Sequence, residues 1–193
     1  GKLFSLSNIS GETIYWMSSP FKREYGDWNN ENLDSNCLIE STKGDMCNSK
    51  YLKKNHGEFL SSLRNLNMIE KDKAYFAKGI ENIKLNPIKY LRNVFSNIGR
   101  LLYNFPGTYM YQRDITLLRI IPNSIILNLM LFSFVSTIYN FKKIPEEMIY
   151  GLLIIFAYLL LSSLITAYAR MFYIVVPYIL IWVSYSIKMW KNS

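Results

Sequence analysis

Three apolar runs toward the C-terminal end restrict the fold more than any other feature of this chain. Residues 120–139 (IIPNSIILNLMLFSFVSTIY) and 148–167 (MIYGLLIIFAYLLLSSLITA) each continue for about 20 residues without a charge, and residues 171–187 for about 17. About 20 apolar residues cross the hydrocarbon core of a bilayer as a helix, and about 17 is the lower limit. Lipid offers no hydrogen bonds, so each span must satisfy its own backbone, which a helix does. Pro122 falls in the first turn of its run, where a missing N–H costs little. The expectation is a mainly α membrane protein: a polar, extracytoplasmic region over residues 1–116, then three transmembrane helices within 117–193.

The connectors orient these spans. Lys142 and Lys143 lie between the first two, and Lys188 and Lys191 follow the third. Two spans separate these cationic segments, so they share a side, and the positive-inside rule makes that side cytoplasmic. The Tyr168-Ala169-Arg170 turn, Arg113, Arg119 and the whole polar region then face outward. The last two helices form an antiparallel hairpin. The chain opens on Gly1 with no charged n-region or apolar h-region, so it reads as the C-terminal piece of a longer protein.

The net charge of +8 is spread through a region rich in Lys, Asn, Ser, Glu and Asp. Within it, residues 86–105 (NPIKYLRNVFSNIGRLLYNF) carry the clearest amphipathic pattern, with Asn86 as the cap and Pro87 at the first helical position. Ile88, Leu91, Phe95, Ile98, Leu102 and Phe105 recur at steps of three and four, while Lys89, Arg92, Asn93, Asn97 and Arg100 occupy the other face. The pattern predicts a helix over 87–105 lying in the membrane interface. The alternative is a helix packing its apolar side on a soluble core. Residues 67–85 predict another helix, with Ile69, Phe76, Ile80 and Ile83 on one side and Gly79 as a weak point. Residues 18–58 read as loop, and Ile14-Tyr15-Trp16 as a short strand or a segment pressed on the membrane.

Cys37 and Cys47 are the only cysteines. An outward-facing region permits a disulfide between them, and two free thiols are the alternative. Their spacing does not suggest a metal pair, and the lone His56, in KKNHG, reads as a solvated loop residue. No nucleophile elbow, zinc-binding helix signature or phosphate-cradling glycine loop is present, so no catalytic residue, metal or cofactor is assigned within this segment. The positive charge forms no stripe with interleaved aromatics, which argues against a nucleic-acid partner. The outer face offers instead a basic helix, arginines and tyrosines. Arg170, with Tyr168 and Tyr173 beside it, suits a lipid phosphate held in a guanidinium fork. The competing reading is an arginine that snorkels to the headgroups and does no more.

In their order along the chain, four segments resemble the C-terminal part of bacterial glycosyltransferase C superfamily enzymes, those similar to protein O-mannosyltransferases and to the lipid A aminoarabinose transferase. The segments are residues 7–15 (SNISGETIY), 68–73 (MIEKDK), 83–91 (IKLNPIKYL) and 169–177 (ARMFYIVVP). The resemblance implies sugar transfer from a polyprenyl-phosphate donor to a glycan, lipid or protein acceptor at the outer face of a bacterial cytoplasmic membrane. It implies that the catalytic acid lies in a preceding region, and that Arg170, Tyr168 and Tyr173 belong to the substrate wall. The alternatives are a polysaccharide or lipid transporter, polymerase or flippase, and a non-catalytic membrane scaffold.

Overall fold

The computed structural model describes residues 10–27, 49–106, 118, 120–165 and 167–191. These are mostly helical and contain no strand. In chain order the helices are α1 (Ser10–Met17), α2 (Ser49–Ser62), α3 (Met68–Leu85), α4 (Pro87–Tyr103), α5 (Ile120–Tyr139), α6 (Glu146–Leu164) and α7 (Ala169–Lys191), with a short 3-10 turn at Phe141–Lys143. The mainly helical membrane fold expected from the sequence is therefore present. Helices α5, α6 and α7 are each long and apolar enough to cross a membrane. No more than a third of each apolar window is buried by the protein. An apolar helix left open in this way needs lipid around it, which marks an integral membrane protein.

The three spans meet along narrow seams. Leu101, Ile155, Phe172, Val175, Ile179 and Val183 form their shared core near α4. Small residues allow the close approach typical of helices in lipid. Ser133 and Ser136 of α5 are buried with Ser186 of α7, and Trp182 donates to Thr137 Oγ1 at 2.9 Å. At one end of the bundle the Tyr185 hydroxyl donates to the Lys143 carbonyl at 3.1 Å, bringing together the two lysine-bearing segments. The other end carries the turn between α6 and α7.

The polar region contains a second core, of Tyr15, Trp16, Leu63 and Tyr75. Here α1 crosses α3 at two glycines. A Cβ on Gly79 would sit 2.7 Å from Ile14 Cγ2, and one on Gly11 would collide with the Asp72 carbonyl oxygen. The Gly11 N–H donates to Asp72 Oδ1 at 2.7 Å, which fixes the crossing. Gly79 is thus the contact point of α3. The Ile14-Tyr15-Trp16 segment is helical because this packing outweighs the strand preference of its residues. The start of α3 is set by Asn67, whose side chain accepts from the Ile69 and Glu70 N–H groups while Glu70 reaches back to Asn67.

Helix α2 corrects the reading of residues 18–58 as loop, since its Ser49–Ser62 stretch is helical. Helix α4 has the expected start but no side-chain cap from Asn86, and Pro87 at its first position supplies the stop between α3 and α4.

Candidate functional site

Helix α4 presents its two faces the opposite way round from a soluble helix. Asn93, Asn97 and Arg100 are buried, whereas Ile88, Leu91, Phe95 and Phe105 are exposed, Phe95 by 73%. The apolar face therefore does not pack on a soluble core. Its polar face makes the contacts with the protein. Lys89 Nζ donates to the Glu24 carbonyl and to Asn93 Oδ1. Asn93 Nδ2 donates to the Met17 and Ser19 carbonyls at 2.9 and 3.0 Å. Arg100 Nη1 donates to the Tyr25 carbonyl at 2.9 Å and the Pro106 carbonyl at 3.2 Å.

Asn97 joins this face to the membrane bundle. Its side-chain amide donates to the Ser163 carbonyl at 2.9 Å and to the Ile165 carbonyl, and its Oδ1 accepts the Ala167 N–H at 2.9 Å. Arg100 Nη2 donates to the same oxygen at 2.9 Å. One fully buried side chain thus satisfies the end of α6 and the turn before α7. The Tyr90 hydroxyl adds a bond to the Leu164 carbonyl at 2.9 Å, and Asn123 of α5 donates to the Leu102 carbonyl. The polar faces are occupied by protein, and the exposed apolar face is left for another apolar medium.

The turn held by Asn97 carries the residues singled out in the sequence. Arg170 lies in the first turn of α7, exposed, with its guanidinium carbon 5.2 Å from the Tyr168 ring centroid. Among the described residues it forms no ion pair. Tyr168 is half-buried, and burial raises its phenol above the usual range; Arg170 and Arg100 oppose the shift, while Asp27 and Glu12 add to it. Burial lowers the Arg100 guanidinium from its ordinary value, opposed by Asp27 and Tyr168. Tyr173 lies one turn on from Arg170 in the same helix, partly exposed, with its ring 6.3 Å from that of Phe172 between centroids. Cys37, Cys47, Arg113 and Arg119 lie outside the described residues.

No protein-family model, curated protein or solved structure matches this chain.

A second cluster of polar groups was not legible in the sequence. His56 is a buried residue of α2, 1% exposed, and not the solvated loop residue expected. Its Nε2 lies 2.9 Å from Glu24 Oε2, and its Nδ1 lies 2.6 Å from the Tyr15 hydroxyl. Nε2 donates to the ionised Glu24, while Nδ1 accepts from the Tyr15 hydroxyl in the neutral ring and donates to it in the cationic one. Ser19 also donates to Glu24 Oε2, and Asn55 Nδ2 donates to Oε1 at 2.8 Å. Burial pushes the Glu24 carboxyl up, but the bonds from His56, Ser19 and Asn55 and the charge of His56 together hold it below its ordinary value. Burial, reinforced by the Glu24 charge, raises the Tyr15 phenol well above its ordinary range. His56 lies among lysines in the sequence, while its partners Tyr15 and Glu24 are remote along the chain. Only the fold reveals the network.

Proposed function

We propose that this chain forms the outer-face end of a membrane-embedded glycosyltransferase that takes its sugar from a polyprenyl phosphate, with Arg170 binding the lipid phosphate. The observation that carries this reading is the setting of Arg170. It is an exposed guanidinium without an acidic partner among the described residues, stacked on Tyr168 at the N-terminus of a membrane-spanning helix. The helix N-terminus adds its own partial positive charge, so two sources of positive potential meet where a lipid headgroup lies. The apolar face of α4 supports the same reading. It flanks that end of the bundle, and its exposed Leu91 and Phe95 suit contact with lipid tails.

In this reading α6 and α7 span the bacterial cytoplasmic membrane with their connecting turn outside, and Lys142, Lys143, Lys188 and Lys191 face the cytoplasm. During transfer the anomeric carbon–oxygen bond to the lipid phosphate breaks, and a bond to an acceptor hydroxyl forms. The acceptor proton passes to a carboxylate contributed outside this segment, and negative charge develops on the leaving phosphate. A forked guanidinium stabilises that charge. Tyr168 holds the plane of Arg170 through its ring face.

The test is an assay of sugar transfer by the protein that carries this sequence, at equal membrane abundance. Arg170→Ala is expected to lower transfer by about a hundredfold, the scale of losing one charge-stabilising donor. Arg170→Lys is expected to restore little, because an ammonium does not reproduce the fork. Transfer unchanged in Arg170→Ala, or fully retained in Arg170→Lys, would reduce the residue to a membrane anchor.

A further inference from the structure

A cleft of about 550 Å³ opens between α1, the turn that follows it, α2 and α3. It shares no lining residue with the Arg170 turn, and its size falls within the range of small-molecule sites, roughly 300–1,000 Å³. Asn82 is the residue that calls for a ligand. It is only 7% exposed and lines the cleft, yet its side-chain amide has one contact, to Ser18 Oγ at 3.5 Å. That distance is at the outer limit of a hydrogen bond, and buried amides in native proteins are normally well partnered. One N–H and the carbonyl of Asn82 are therefore available on a buried wall.

The rest of the wall is arranged in advance. Asn55 is held by its bond to Glu24, which fixes its amide orientation and leaves Oδ1 as an acceptor. Glu24 is itself held by His56 and Ser19. Phe59 stacks near Tyr15, with centroids 4.8 Å apart, and Phe21 meets the edge of His56 at 5.1 Å, so aromatic carbon lies beside these amides. Lys78 and Glu58 bring one charge of each sign to the lining. A phosphate or carboxylate ligand would meet Glu58 with the Glu24 charge behind it, so no net field favours an anion. The fitting ligand is uncharged, carries groups that both donate and accept, and has apolar faces for the aromatic rings. A sugar ring has these properties, since each hydroxyl donates and accepts while its C–H faces lie flat on aromatic carbon.

We infer that this cleft is a binding site for a neutral saccharide. The inference stands on the cleft alone and does not depend on what Arg170 binds. The test is saturation-transfer NMR on the full chain in lipid nanodiscs, titrated with a panel of methyl hexosides and methyl N-acetylhexosaminides. At least one glycoside is expected to bind saturably. Asn82→Ala should weaken it by about tenfold, the scale of a lost ligand hydrogen bond at a buried wall, and Lys78→Ala, whose partly exposed ammonium also pairs with Glu81 at 3.0 Å, should weaken it less. Arg170→Ala should leave it unchanged. Lys78 is partly exposed, so its variant keeps the fold even if Asn82→Ala loosens it; circular dichroism checks both. Absence of saturable binding to folded protein would overturn the inference. So would undiminished binding in Lys78→Ala and a folded Asn82→Ala, or selective binding of acetylated dipeptide amides in place of glycosides.

Discussion

Replacing Asn97 with alanine tests whether the polar face of α4 fastens the turn between α6 and α7. The side chain is 0% exposed, and its loss orphans the Ala167 N–H, the Ser163 and Ile165 carbonyls and one arm of Arg100. A buried donor left unsatisfied costs about 1–3 kcal/mol, and a bond to a charged group contributes about 1.5–3 kcal/mol. Counting only the Ala167 N–H and the Arg100 contact, local opening of the turn should become easier by about 2.5–6 kcal/mol. At about 1.4 kcal/mol per factor of ten, this predicts hydrogen exchange at the Ala167 amide faster by about two to four orders of magnitude, up to the limit set by global unfolding. The assay is hydrogen–deuterium exchange with mass spectrometry on the protein in nanodiscs, following a peptide that spans the turn. Asn93→Ala is the matched control, because Asn93 bonds to the Met17 and Ser19 carbonyls and not to the turn. Unchanged protection of Ala167 in Asn97→Ala, or equal loss in Asn93→Ala, would refute the reasoning.

The crossing of α1 and α3 should reject a larger side chain: Gly79→Val is expected to cost about 1–3 kcal/mol or more, seen as a lower melting temperature by circular dichroism, since a Cβ already meets Ile14 at 2.7 Å. Glu24 should make the polar region acid-sensitive. Its folded-state value lies below the ordinary 4.5, so its contribution is present above about pH 5 and is lost as the pH falls through the lowered value. Glu24→Gln should therefore be less stable at neutral pH by about 1–3 kcal/mol and show a flatter dependence in acid, both read from melts across pH. Phe95→Trp should place a fluorophore in lipid on the exposed face of α4, so that brominated lipids quench it strongly; quenching no greater than that of an aqueous tryptophan would remove α4 from the interface.

The membrane spans were legible because long uncharged runs leave few alternatives to a spanning helix. The helix at Ile120–Tyr139 has the limits expected, whereas α6 begins and ends earlier than the 148–167 run. The last helix is 23 residues long, against the 17 or so of its apolar run, because a helix continues through Lys188 and Lys191 while hydropathy stops there. Periodicity also revealed the two faces of α4. It did not reveal that the polar one packs on protein, because the same pattern fits a helix in water or one whose apolar side meets lipid. Less could be read from the segments before α3. Helix α1 is eight residues long, too short for a periodic signal, and its conformation depends on glycine contacts with a helix some 60 residues away. His56 and Glu24 are drawn together by the same tertiary packing. Of the turn before α7, the sequence singles out Arg170 and Tyr168, which lie together, while Asn97, which holds that turn in place, is only one of several polar residues opposite the apolar face of α4.

The central claim is that Arg170 binds a lipid phosphate through a guanidinium fork, and binding is its most direct test. The wild-type protein, Arg170→Ala and Arg170→Lys would be titrated in nanodiscs with a polyprenyl phosphate and with the corresponding polyprenol, using native mass spectrometry to measure occupancy. The account predicts that wild type prefers the phosphate and that both variants lose about tenfold or more of that preference while binding polyprenol as before. Equal phosphate preference in Arg170→Lys and wild type would contradict the fork, and equal preference in all three would remove the phosphate from this site.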